Sequence, residues 1–134
     1  MLNHATVITF LATTDAGRSR PFFETTLGLT CVEDGPYALV FDLNGIMLRV
    51  QKVEAFTPYP FTALGWQTDD IASTVRDLTG RGIEFLRIGM PQDELGIWDS
   101  GAGRIAWFKD PDGNTLSLTQ FHSATFAEHK AALG

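Results

Sequence analysis

The chain reads as one unit written twice, and a duplication of this kind restricts the fold to a few repeat architectures. The first copy opens with Ala5 to Ala12, where Val7, Thr9 and Leu11 alternate with Thr6, Ile8 and Phe10. Both faces of that run are largely apolar, which predicts a buried strand. Asp15 follows at a capping position for a helix. That helix carries Phe22, Phe23 and Leu27 and stops near Gly28. Pro21 within it predicts either a late start or a kink, because proline lacks the amide a helix interior needs. Three short strands are expected next, Leu29 to Glu33, Tyr37 to Leu43 and Ile46 to Gln51. Asp34-Gly35-Pro36 and Asn44-Gly45 are the turns between them, and Asn-Gly is a strong two-residue hairpin signal.

Lys52 to Pro60 holds Pro58 and Pro60 and reads as a linker, so the first module spans 5–51 and the linker 52–60. The second module, 61–120, begins with a strand over Phe61 to Thr68. Asp69 or Asp70 then caps a helix in which Ile71, Val75 and Leu78 form one apolar stripe. Gly80 and Gly82 end it. Strands are expected at Glu84 to Ile88, Arg104 to Lys109 and Asn114 to Thr119, with a long loop over Gly89 to Gly103. The loop is either a mobile lid or a solvated connection. Ser123 to Leu133 reads as a helix in a C-terminal tail, 121–134. Asp15 and Asp70 stand 70 − 15 = 55 residues apart, and Gly28 and Gly82 stand 82 − 28 = 54 apart, as a repeat requires.

At 134 residues, 44% hydrophobic and with 10 Phe and 3 Trp, the chain can build one domain with aromatics left for a pocket. The net charge of −6 argues against nucleic acid, whose phosphates need a basic face. No apolar run reaches membrane-spanning length, and Met1-Leu2-Asn3-His4 lacks a signal-peptide pattern, so cytoplasmic residence is expected. The single Cys31 excludes an internal disulfide and reads as a small hydrophobe. His4, His122 and His129 have no metal-site spacing and read as surface groups, although His122 could reach a pocket rim as a proton carrier. Gly101-Ala102-Gly103 opens no helix and is not a dinucleotide motif.

Asp110-Pro111-Asp112-Gly113-Asn114 is a tight turn between two apolar runs. With Phe22-Phe23, Leu27-Gly28-Leu29, Thr68-Asp69-Asp70-Ile71 and Gly82-Ile83-Glu84-Phe85 in order, it resembles the vicinal oxygen chelate superfamily, the glyoxalase, bleomycin-resistance and extradiol-dioxygenase group. The resemblance covers roughly residues 5 to 120. It implies an α+β fold of two tandem βαβββ modules, in which eight strands form an open barrel with helices outside and a pocket on the concave side. It also implies a homodimer. Metal-dependent relatives carry His, Gln or Glu on the first strand of each half and Glu on the last. By the motifs, those positions fall here on Ile8, Arg49, Ala63 and Ser117. Ile, Ala and Ser do not bind divalent metals and Arg repels them, so neither a metal nor another cofactor is expected.

Alternation along Ile46 to Gln51 sends Met47, Arg49 and Gln51 to the pocket and Ile46, Leu48 and Val50 to the helix layer. The expected ligand-binding set is Phe10, Met47, Arg49, Gln51, Gln67, Trp98, Trp107 and Ser117, with Thr119 beside them. Catalytic residues are not identified. Arg49 either clamps an anionic group of a ligand, pairs with Asp42 or Glu33, or points to solvent. Trp98 and Trp107 either stack on a ligand or pack in the core; Trp66, out of phase with Gln67, reads as core. The expected partner is a small molecule held in a metal-free pocket. The alternatives are a metal-independent enzyme on an anionic substrate held by Arg49, and a glyoxalase-type metalloenzyme with displaced ligands.

Overall fold

The computed structural model of the chain describes residues 1–123 and 126–134. Its contacts divide the chain into two compact units. One is Met1–Pro60 with Asp110–Asn114; the other is Phe61–Lys109 with Thr115–Gly134. No helix among the described residues is long and apolar enough to cross a membrane.

In the first unit a short turn of 3-10 helix precedes β1 (Ile8–Thr13), α1 (Ala16–Pro21), β2 (Thr30–Asp34), β3 (Ala38–Leu43) and β4 (Ile46–Lys52). The strands form one sheet in the order β1-β4-β3-β2, with β1 parallel to β4 and the other pairs antiparallel. Asn44 (φ 51°) and Gly45 (φ 91°) make the two-residue hairpin turn that their sequence signals. Pro21 does not delay the helix, which starts at Ala16; the helical path changes at the proline instead. It ends α1, and the chain continues through a π turn, Phe22–Thr26, closed by Leu27 N–H donating to Phe22 O. The missing proline amide forces the α ladder to stop there. Leu11, Phe23, Leu39, Phe41, Leu48 and Val50 are the buried core, with the Phe23 and Phe41 rings 5.5 Å apart.

The second unit runs β5 (Thr62–Gln67), α2 (Ile71–Gly80), β6 (Trp98–Asp99), β7 (Gly103–Lys109), β8 (Thr115–Phe121) and α3 (Phe126–Leu133). Its sheet order is β5-β8-β7-β6, the same pattern as the first unit, with β5 parallel to β8. Ile71, Val75 and Leu78 are buried as their stripe requires, together with Ile83, Phe85, Ala106, Phe108, Leu116 and Leu118. Trp66 stacks on Phe108 at 6.5 Å.

The repeat extends to individual hydrogen bonds. Asp15 Oδ1 accepts from Arg18 N–H, and Asp70 Oδ1 accepts from Ser73 N–H, so each helix has the same cap. Thr13 Oγ1 accepts from Asp15 N–H, and Thr68 Oγ1 accepts from Asp70 N–H. The offset is again 68 − 13 = 55 residues.

The eight strands form two four-stranded sheets, as two tandem βαβββ modules require, and among the described residues no hydrogen-bond ladder joins one sheet to the other. Two expectations need correction. The first strand begins at Ile8, not Ala5. Glu84 to Ile88 is not a strand, and the short β6 takes its place beside β7. Leu86 N–H does donate to Trp107 O, but its own carbonyl accepts from Gln92 Nε2 and Ile88 N–H donates to Gln92 Oε1. Local side chains have taken the groups a ladder would use. Of the expected helix Ser123 to Leu133, Ala124 and Thr125 lie outside the described residues and Phe126–Leu133 is helical.

The turn Asp110–Asn114 groups with the first unit, where Asp112 is its anchor. Its side chain is 1% exposed, and Oδ1 accepts from the Thr14 amide, the Thr14 hydroxyl and Arg18. Burial pushes the Asp112 carboxyl up, but hydrogen bonds from Thr13 and Thr14 and the charge of Arg18 hold it below the usual carboxylate range. Asp34 is lowered by its hydrogen bond from Lys52, and Asp99 by the Gly101 amide and then His122. A carboxyl lowered on folding stabilises the native state above its unfolded value and loses that effect as pH falls through the folded one. The urea midpoint is therefore expected to fall steadily below about pH 4, with a shallower fall in Asp112→Asn. A midpoint that is flat or rising on acidification would contradict this assignment.

Candidate functional site

Side chains directly opposite one another in neighbouring strands share a face, so the registers sort the candidate residues. In the first unit Phe10 lies opposite Arg49, and Arg49 opposite Val40; Ile8 lies opposite Met47, and Ala12 opposite Gln51. Ile8, Phe10, Met47, Arg49 and Gln51 thus occupy one face. Leu48 and Val50 lie on the other, in the core, as alternation requires. The first face is open and mixed: Phe10 is 52% exposed, Ile8 48% and Met47 40%, and the registers put Asp42 opposite Met47 and Glu33 opposite Val40 on the same face.

Arg49 stands half-buried in the middle of that face. Neither of its expected internal partners pairs with it. Asp42 Oδ1 instead accepts from Gly45 N–H at 2.6 Å, bracing the hairpin turn. Among the described residues Arg49 makes no ion pair and no side-chain hydrogen bond. A guanidinium that makes no ion pair keeps its fork open to an anion.

In the second unit Trp98, Ile105, Thr119 and Gln67 form one cross-strand row, and Trp107, Ser117 and Gly65 form the next. All four candidates of this half therefore share a face. Trp98 and Trp107 stack on each other, ring centres 6.0 Å apart and planes 27° apart. Trp107 Nε1–H donates to Thr62 Oγ1 at 3.1 Å, which fixes the inner indole. Both indoles are half-buried. The result is a fixed aromatic platform edged by the hydroxyl of Thr119 and the amide of Gln67.

Ser117 is buried on this face, directly opposite Gly65. A Cβ built on Gly65 would come within 2.5 Å of Ser117 Oγ. Only glycine leaves room for that hydroxyl. Gly65, Ile105 and Thr62 were absent from the sequence-derived set. A glycine inside a strand does hint at close approach, but Gly65 names its partner only through the register.

The four positions that the resemblance gives to metal ligands do not fit a divalent cation. Ile8 and Ala63 offer no donor atom, Arg49 is a cation, and Ser117 alone supplies a neutral oxygen. Ala63 falls in the irregularity of β5 between Thr62 and Leu64. Among the described residues no group of three or more His, Cys, Asp or Glu side chains is placed to hold a metal ion. His122, the suggested proton carrier, instead pairs through Nε2 with Asp99 Oδ1 at 3.0 Å, and Asp99 projects from the face opposite Trp98. His129 stacks on Phe121.

The segment after α2 is held by a set of side-chain hydrogen bonds to its own backbone. Arg87 donates to the carbonyls of Asp93 and Glu94, Gln92 Nε2 donates to Leu86 O and Gly96 O, and the Asp93 carboxylate accepts from Leu95 and Ile97 amides. These bonds hold 86–97 as a braced loop.

A family model described as the Glyoxalase/Bleomycin resistance protein/Dioxygenase superfamily matches residues 1–118. No curated protein matches the chain in sequence. Solved structures share its fold at low identity. The fosfomycin resistance protein FosX from Listeria monocytogenes is 14% identical over 93% of this chain and 97% of its own, with a TM-score of 0.71. Lactoylglutathione lyase from Agrobacterium tumefaciens is 16% identical over 87% and 93%, with a TM-score of 0.65. TnmS3, an antibiotic binding protein from Streptomyces sp. CB03234, is 23% identical over 88% and 98%, with a TM-score of 0.63.

Proposed function

This chain belongs to the glyoxalase/bleomycin resistance protein/dioxygenase superfamily, and we propose that within it the protein binds a small, planar organic molecule without a metal ion. The observation that carries this reading is the Trp98–Trp107 stack on the sheet face that also presents Gln67, Thr119 and Ser117. Indole faces bind planar rings by stacking, and a few polar groups beside them orient the ligand. The side chains at Ile8, Arg49, Ala63 and Ser117 support the metal-free part, since they offer no ligand set. The structural likeness to an antibiotic binding protein and a fosfomycin resistance protein is consistent with sequestering or modifying a small molecule. Assembly as a homodimer belongs to the same proposal.

A second reading has its own observation. Arg49, which makes no ion pair among the described residues and stands on an open sheet face, favours an anionic group on the ligand or substrate. Such a protein could be an enzyme that works without metal.

One panel tests both readings. Planar aromatic compounds bearing positive, neutral and negative groups are titrated while tryptophan fluorescence and thermal stability are followed. A ligand that binds only the folded state raises its stability. A planar ligand is expected to quench the emission and to bind equally well after treatment with a chelator. Trp98→Ala is expected to weaken binding by about tenfold, from the loss of roughly 1–1.5 kcal/mol of stacking. Arg49→Ala is expected to abolish any preference for anionic members. Binding that needs stoichiometric Zn²⁺, Ni²⁺ or Fe²⁺ overturns the metal-free reading; unchanged affinity in Trp98→Ala removes the platform.

A further inference from the structure

The second unit carries a cleft that takes no part in the sheet face described above. It holds about 400 Å³ and is lined by Thr79 and Gly82 at the end of α2, by Ile83, Glu84, Phe85 and Arg87, and by Glu94 and Leu95. That volume lies within the range of small-molecule sites, about 300–1,000 Å³. Its walls differ in chemistry. Ile83 and Phe85 are buried and Leu95 is half-buried, which gives an apolar floor. Glu84 and Glu94 are exposed, and neither carboxylate makes a hydrogen bond or ion pair among the described residues.

Arg87 is the one basic residue in the lining, and it is committed elsewhere. Its guanidinium N–H groups go to the carbonyls of Asp93 and Glu94. That fork holds the loop wall in place; its acceptors are neutral carbonyls, so the lining carries two negative charges and one positive, a net charge of −1. Gln92 and Asp93 brace the same wall from behind. Gly96 lies against the base of Phe85, where a Cβ would come within 3.1 Å. The cleft is therefore built before any ligand arrives, which lowers the ordering cost of binding.

We propose that this cleft is a second binding site, for a small organic cation with an apolar body, such as a primary amine on an aromatic or aliphatic chain. The ammonium group sits between Glu84 and Glu94, and the body lies on Ile83, Phe85 and Leu95. The site is independent of the indole platform, so either can fail without the other.

The test uses the full chain, ¹⁵N-labelled, titrated with phenethylamine, with 3-phenylpropionate and 2-phenylethanol as probes of matching shape. Phenethylamine is expected to shift amide resonances within 79–95 with a dissociation constant in the millimolar range, as suits a fragment of this size. The acid is expected to leave them in place, and the alcohol to bind more weakly than the amine. The double variant Glu84→Gln/Glu94→Gln is expected to weaken the amine by about fivefold or more, from two solvent-facing ion pairs. Thr79→Arg, on the exposed end of α2, puts a cation at the mouth and is expected to have the same effect if the double variant does not fold. Equal shifts from amine and acid, no shift in 79–95 at about 10 mM amine, or unchanged affinity in both variants overturns the proposal.

Discussion

Phe108→Ala is expected to lower the unfolding free energy by about 3–5 kcal/mol, the range for removing a fully buried ring that its surroundings cannot refill. Phe108 has no exposed surface. Its ring meets Phe85 edge-on at 5.5 Å and Trp66 in a stack at 6.5 Å, and it lies opposite Leu116 across the β7–β8 ladder. It is thus the point where the helix-side face of the second sheet meets the segment after α2. Phe85 also floors the cleft, so the cavity left by Phe108 loosens that wall as well. All three tryptophans, Trp66, Trp98 and Trp107, belong to the second unit, so their emission reports its unfolding directly. Urea titrations followed by fluorescence should show a much lower midpoint with an unchanged slope. Phe108→Leu, which keeps most of the volume, should cost under about 2 kcal/mol. A loss below about 1.5 kcal/mol for the alanine variant would mean that Phe108 is not the centre of this core.

The features that the sequence discloses are those decided within one turn or one strand. Asn44-Gly45 dictates its hairpin because its backbone needs positive φ. Asp15 and Asp70 cap because a short carboxylate reaches the amide three residues on. Met47, Arg49 and Gln51 share a face because strand side chains alternate, and the register adds Phe10 and Ile8 to it. What escapes the sequence is whatever depends on distant choices. Glu84 to Ile88 alternates like a strand, yet Arg87 and Gln92 bind the neighbouring loop and leave one ladder bond. Whether Arg49 pairs with Asp42 was open on the sequence, because nothing local says that Gly45 claims that carboxylate. The contact between Gly65 and Ser117 depends on the irregular pairing of β5 between Thr62 and Leu64. The likeness of the Asp110–Asn114 turn to other family members was plain in the residues, but its grouping with the first unit was not.

That turn yields the second large effect. Asn114→Ala is expected to destabilise the protein by about 2–6 kcal/mol, because it strands two polar groups at once, each costing about 1–3 kcal/mol. Asn114 is buried, and its Nδ2 donates to Ala12 O at 3.0 Å and to Asp110 Oδ2 at 2.8 Å. Asp110 Oδ1 in turn accepts from the amides of Asp112 and Asn114, while Asp110 N–H donates to Asn114 O. Alanine at 114 keeps the backbone bonds and removes both side-chain ones. The pH dependence separates this cause from a general loss of packing. Burial already raises the Asp110 carboxyl above its usual value, and the Asn114 amide opposes that rise. Without the amide the carboxyl moves further up. A group raised on folding favours the native state below its unfolded value, and that benefit is lost as pH rises through the folded value. The deficit of Asn114→Ala relative to the parent should therefore be greatest at neutral pH and shrink on acidification through about pH 4. The acid loss at Asp112, Asp34 and Asp99 is common to both proteins and cancels in that difference. Paired urea titrations of parent and variant at neutral and acid pH measure it. A deficit that stays constant across that range would show that the buried carboxylate of Asp110 does not depend on Asn114.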